Sequence, residues 1–126
     1  MPTVQLTLKD FKEKIHDFSD NSDWKFKGDK PAIIDFYADW CGPCKAVAPI
    51  FEELSNEYAD EIVIYKVDTE TEPELSHAFG IQSIPSILFI PLDSSAPMMQ
   101  RGALPKNVLD KVIREELLGQ KPESDS

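Results

Sequence analysis

Cys41 and Cys44, the chain's two cysteines, lie three positions apart in Trp40-Cys41-Gly42-Pro43-Cys44-Lys45. Two thiols at that spacing can join and part with little backbone movement, so the pair reads as a dithiol/disulfide couple. The flanking periodicity positions it. Pro31 to Tyr37 is a short apolar run rich in β-branched and aromatic residues, which predicts a buried strand. After the motif Val47, Ile50, Phe51, Leu54 and Tyr58 recur at helical spacing, opposite Lys45, Glu52, Glu53, Asn56 and Glu57. A helix therefore starts within or beside the motif. Its free N–H groups and positive dipole end favour an anion, and at Cys41 that anion is a thiolate. Pro49, inside the same helix, removes one backbone bond and is expected to bend it.

Half a zinc site has the same two cysteines, but four-coordinate zinc needs two more ligands. His16 and His77 neither pair at zinc spacing nor lie near a second cysteine pair. No metal is expected. An inert structural disulfide is a weak reading too, because so short a loop constrains the unfolded chain little. Two charged residues interrupt apolar strands. Asp35, between Ile34 and Phe36, either turns outward or is retained for proton transfer, since a buried carboxylate is costly. Lys66 interrupts Ile62 to Val67, where a long stem can also carry its ammonium to solvent.

The remaining elements follow in order. Val4 to Leu6 is short for a strand. Thr7 with Asp10 reads as a capping box opening a helix with the stripe Leu8, Phe11, Ile15 and Phe18, and His16, off that stripe, reads as a surface histidine. Residues 19 to 30 form a polar loop in which Trp24 and Phe26 either pin the segment to the core or contact a partner. Ile62 to Val67 is a second strand, Glu72 to Gly80 a short helix, Ser86 to Ile90 a third buried strand and Met98 to Arg101 an edge strand. Val108, Leu109, Val112, Ile113 and Leu117 stripe a last helix, and Gln120 to Ser126 is a polar tail expected to be disordered. Helices alternating with apolar strands, then a hairpin, imply an α/β domain: a central mixed sheet with helices on both faces.

With 126 residues, 41% of them hydrophobic, one core suffices. A net charge of −10, with thirteen scattered Lys and Arg, argues against nucleic acid and anionic membranes as partners. No apolar run approaches the ~18 residues of a spanning helix, so membrane insertion is not expected. The first residues have neither the basic nor the apolar segment of a signal peptide, which points to the cytoplasm; a removed leader would make the periplasm the alternative.

The series Asp35-Phe36-Tyr37-Ala38-Asp39-Trp40-Cys41-Gly42-Pro43-Cys44-Lys45, Ala48-Pro49, Val67-Asp68, Gly80-Ile81, Ile84-Pro85 and Gly102-Ala103-Leu104 resembles the thioredoxin family from about residue 4 to residue 118. The resemblance implies a single thioredoxin-fold domain with a five-stranded mixed sheet over residues 1–118, followed by the tail 119–126. It implies that Cys41 is an exposed nucleophile and Cys44 the buried thiol that resolves the mixed disulfide. It places Asp35 behind Cys44 as proton acceptor, with Lys66 beside it. It makes the Ile84-Pro85 bond cis and facing the dithiol, in a docking rim of Trp40, Gly42, Pro43, Ile84, Pro85 and Gly102. No cofactor is expected beyond the chain's own disulfide. The implied partners are disulfide-containing client proteins and a thioredoxin-reductase-like electron donor, with the chain itself a monomer.

Three departures from the family pattern bear on client choice. Tyr37 stands where tryptophan is common, Arg101 where an apolar residue usually precedes the glycine, and the Pro91 to Pro97 turn is long. Arg101 adds a positive charge that would favour acidic client segments. The function so implied is a protein disulfide reductase. The alternatives are a disulfide oxidase or isomerase, and a thioredoxin-like binding or chaperone subunit.

Overall fold

A computed structural model of the chain describes residues 2–19, 23–93 and 95–120. Five strands form one sheet: β1 (Val4–Gln5), β2 (Ala32–Tyr37), β3 (Val63–Asp68), β4 (Ser86–Ile90) and β5 (Met98–Arg101), in the order β1-β3-β2-β4-β5. β1, β3 and β2 run parallel, and β4 and β5 add antiparallel to the far side. Helices α1 (Leu8–Lys14), α2 (Gly42–Glu57), α3 (Pro73–Ala78) and α4 (Lys106–Val112) cover it, and the last passes into a π-helical turn, Ile113–Leu117.

Alternation along the strands divides the core in two. Ile33, Ile64, Ile87 and Phe89 face Val47, Phe51 and Leu54 of α2 and Leu109, Ile113 and Leu117 at the C-terminal end. Ile34, Phe36, Val67, Leu88 and Ile90 face Phe11 and Ile15 from the α1 side and Leu75 of α3. β2 and β4 are buried on both faces, as their largely apolar runs predict, and the one charged residue among them, Asp35, is buried with the rest. The mixed sheet with helices on both faces is thus borne out.

The capping box is present. The Asp10 N–H donates to Thr7 Oγ1 at 3.1 Å, and the Thr7 N–H donates to Asp10 Oδ2 at 3.4 Å. α1 has only seven residues, so it depends on this cap and on Phe11. Thr7→Ala is expected to lower stability by about 1 kcal/mol. Urea melts check this: the midpoint falls while the slope stays unchanged.

His16 corrects the surface reading. It is buried, its Nδ1 accepts the Lys25 N–H at 3.2 Å, and its ring lies 4.9 Å from that of Trp24. The helical stripe misplaces it because α1 ends at Lys14. Ile15 is already the C-cap, and the His16 N–H reaches back five residues to the Phe11 carbonyl. Trp24 and Phe26 pack on the same core and so pin the long loop. Smaller differences lie at β3, which runs one residue later than expected, and at Val108, which is exposed although helical spacing puts it on the last helix's stripe. Beyond it the Leu118 N–H bonds the Ile113 carbonyl in the wider π pattern. α2 runs unbroken past Pro49. The tail from 121 to 126 lies outside the described residues.

Candidate active site

β2 delivers its C-terminal end, Tyr37, to a tight turn in which the Cys41 N–H bonds the Ala38 carbonyl at 3.2 Å. Cys41 then caps α2 from an extended backbone conformation, and Pro43 occupies the first turn, where a missing N–H is harmless. The Cys44 N–H donates to Cys41 Sγ at 3.2 Å. One sulfur thus receives both a backbone donor and the positive end of a sixteen-residue helix. Cys41 and Cys44 are joined as a disulfide, with their Cα atoms 5.2 Å apart.

Cys41 is only 4% exposed, which corrects the expectation of an exposed nucleophile. Its side chain turns inward to Cys44, and its sulfur lies 3.8 Å from the Ile84 carbonyl oxygen. The lid comes from a remote loop. The Ile84-Pro85 bond is cis, and the Gly102 N–H donates to the Pro85 carbonyl at 2.8 Å, tying the end of β5 to that loop. Gly102 has φ +92, a conformation open to glycine. Trp40, 69% exposed, with Gly42 and Pro43, forms the outer rim. A Cβ on Gly42 would meet nothing within 4 Å, so glycine there leaves room beside the disulfide and serves no internal packing.

Behind the disulfide a cavity of about 110 Å³ is walled by Asp35, Tyr37, Cys44, Ala48 and Lys66 among others. Asp35 is fully buried, and neither carboxylate oxygen has a hydrogen-bond partner. Burial pushes its pKa up from 3.8 to about 7, against the opposing pull of the Lys66 ammonium. Lys66 is Asp35's register partner on β3, so both side chains share one face of the sheet. Its Nζ lies 4.6 Å from the centre of the Tyr37 ring, so the solvated-stem reading does not describe it fully.

The structure therefore gathers Asp35, Cys41, Cys44 and Lys66 at the C-terminal ends of β2 and β3, with the rim residues Trp40, Gly42, Pro43, Ile84, Pro85 and Gly102 around them. Sequence reasoning missed a second wall. A groove of about 360 Å³ runs from Trp40 and Ile84 past Thr69, Glu70, Pro73 and His77. The available signal was that parallel β3 ends beside β2, so the segment after Asp68 must open next to the cysteines.

A family model described as Thioredoxin matches residues 2–115. The chain belongs to the thioredoxin family. It is 48% identical over 112 residues to a thioredoxin of Borreliella burgdorferi, covering 89% of this chain and 95% of that one. It is 40% identical over 111 residues to a putative thioredoxin 2 of Streptomyces coelicolor, covering 88% of this chain and 73% of that one. Among solved structures it superposes on chloroplastic thioredoxin z with a TM-score of 0.77 at 25% identity, covering 91% of this chain and 94% of the other. This member of the family is a thiol-disulfide oxidoreductase that reduces protein disulfides, with Cys41–Cys44 as its redox couple. No helix among the described residues is long and apolar enough to cross a membrane.

Proposed function

We propose that reduced Cys41 attacks a client disulfide and that Cys44 resolves the resulting mixed disulfide, with Asp35 taking the Cys44 proton. The observation that carries this assignment is the Cys44 N–H aimed at Cys41 Sγ at the α2 N-terminus. Only Cys41 has that stabilisation, so its thiolate is favoured at neutral pH. In the first step the Cys41 thiolate bonds one client sulfur, and the other leaves as thiolate. In the second, Cys44 gives its proton to the Asp35 carboxylate and its sulfur displaces the first client sulfur from Cys41, restoring the intramolecular disulfide. Two electrons pass from the pair to the client. No redox group beyond the chain's own sulfurs is needed in either step.

The rim supports docking of an extended client segment. Trp40 supplies an exposed apolar surface, and the Pro85 loop presents backbone beside Cys41. Arg101, exposed at the end of β5, adds a positive charge near Gly102 that favours acidic client segments. A thioredoxin-reductase-like enzyme returns the disulfide to dithiol, and the chain works as a monomer in the cytoplasm, where thiols are kept reduced.

Equilibration with glutathione tests the reductase direction. Reduction potentials of about −270 mV for a typical thioredoxin and about −120 mV for the strong oxidant DsbA differ by ~7 kcal/mol for two electrons. A midpoint near the reducing end is expected. One near the oxidising end would make the chain an oxidase.

A further inference from the structure

β1 is two residues long and lies at the sheet edge, yet it is tied to the buried site. Gln5 is in register with Lys66, and Lys66 with Asp35, so one row crosses three strands. Register neighbours share a face, and Tyr37, two residues beyond Asp35, points the same way. Gln5 Nε2 donates to Tyr37 Oη at 3.0 Å, and Tyr37 Oη lies 3.3 Å from Gln5 Oε1, which accepts its hydroxyl proton. The ring held in this way lies against the Lys66 ammonium, 4.6 Å from Nζ to ring centre. Lys66 makes no hydrogen bond to Asp35, whose oxygens are both unpartnered, so its influence depends on where its Nζ is held.

We infer that Tyr37, locked by Gln5, is a positioning residue: its ring fixes the Lys66 ammonium near Asp35 and so governs how readily Asp35 accepts the Cys44 proton during resolution. The inference rests on the proton-acceptor reading of Asp35 given above. Other charged or titratable groups share the neighbourhood. Cys44 and Lys45 of α2 and Asp39 of the turn line the same cavity. Asp68 at the end of β3 faces Tyr37. Glu52 of α2 also interacts with the Lys66 ammonium, and its carboxylate is held by the backbone N–H and hydroxyl of Thr3. Without the ring, Lys66 is free to swing toward Glu52 or solvent, and Asp35 loses part of the cation's pull on it. The chemistry is unchanged. Cys44 Sγ–H gives up its proton to Asp35, the new bond forms to Cys41 Sγ, and the client sulfur leaves with the electron pair of the broken bond.

The test uses Gln5→Ala, Tyr37→Phe and Tyr37→Leu in the full chain, each read in two ways. Carboxyl ¹³C NMR follows the Asp35 titration in the oxidised protein, and single-turnover resolution of a Cys41-linked mixed disulfide is followed against pH. Tyr37→Leu should raise the Asp35 midpoint by about 0.5 to 1 pH unit and move the rate profile in the same direction. Gln5→Ala and Tyr37→Phe keep an aromatic ring but lose the lock, so they should move both readouts the same way by less. Paired with Asp35→Asn, Tyr37→Leu should have no further effect on the rate profile. An unchanged Asp35 midpoint in Tyr37→Leu, with Asp35→Asn still slow, overturns the positioning role alone. Resolution at the parental rate in Asp35→Asn overturns the proton-acceptor reading and the inference built on it.

Discussion

Cys41→Ser is expected to abolish disulfide reduction, by at least about a thousandfold, while Cys44→Ser should attack clients once and remain covalently joined to them. Exposure does not separate the two cysteines, which are 4% and 3% exposed in the disulfide form. Their backbone surroundings do. Cys41 Sγ accepts the Cys44 N–H at the helix start, whereas Cys44 lies within the first turn and lines the cavity shared with Asp35. A thiolate gains at the first position and is held back at the second, which shares its cavity with an acid, Asp35, that burial makes reluctant to ionise. Reduced protein treated with iodoacetamide at neutral pH should be modified first at Cys41. Peptide mapping that finds the label mainly on Cys44 would reverse the assignment. The trapped complex of Cys44→Ser, released by dithiothreitol and absent from the double serine variant, provides the second check.

Asp35→Asn should be more stable than the parent above pH 7 and slower in resolution. The native carboxyl has its pKa raised from 3.8 to about 7, so the folded state holds this proton where the unfolded chain has released it. The group's contribution is therefore fully present below pH 3.8, lost as pH climbs to about 7, and constant above. At about 1.4 kcal/mol per pKa unit, that interval corresponds to roughly 4 kcal/mol at pH 8. The amide of Asn is also buried without partners, which costs about 1 to 3 kcal/mol, so a net gain of about 2 kcal/mol is expected. The gain should vanish toward pH 5. Urea melts at pH 5 and pH 8 check the sign, and stopped-flow resolution at pH 8 checks the rate. A variant less stable at pH 8 and equally fast would leave Asp35 without a catalytic part.

What the sequence made legible depended on whether the determinant was local. The Cys-Gly-Pro-Cys turn falls where a strand period gives way to a helical one, and Asp35 is conspicuous as the lone carboxylate of an apolar run. These features need only neighbours along the chain. The burial of Cys41 was not legible, because part of the cover comes from Ile84, more than forty residues away, in a loop held in turn by the Gly102 N–H on the Pro85 carbonyl. The Gln5–Tyr37–Lys66 arrangement was hidden for a similar reason. β1 is too short to announce its register, and the row that aligns Gln5 with Lys66 and Asp35 exists only once three strands have paired. His16 failed differently: its environment follows from where α1 stops, and helix ends are the least certain part of a periodic reading.

The chain has two tryptophans, and the fold gives them separate environments. Trp40 stands open to solvent in the turn that carries the disulfide, while Trp24 is half-buried against the α1 side, its Nε1 shielded from water and its ring near His16. Their emission is therefore a double reporter. A change of redox state or the arrival of a client should alter the band from Trp40, and loss of the folded core should alter the band from Trp24. Added iodide should quench the first far more than the second, so single-tryptophan variants would let docking and unfolding be followed optically in one unlabelled protein.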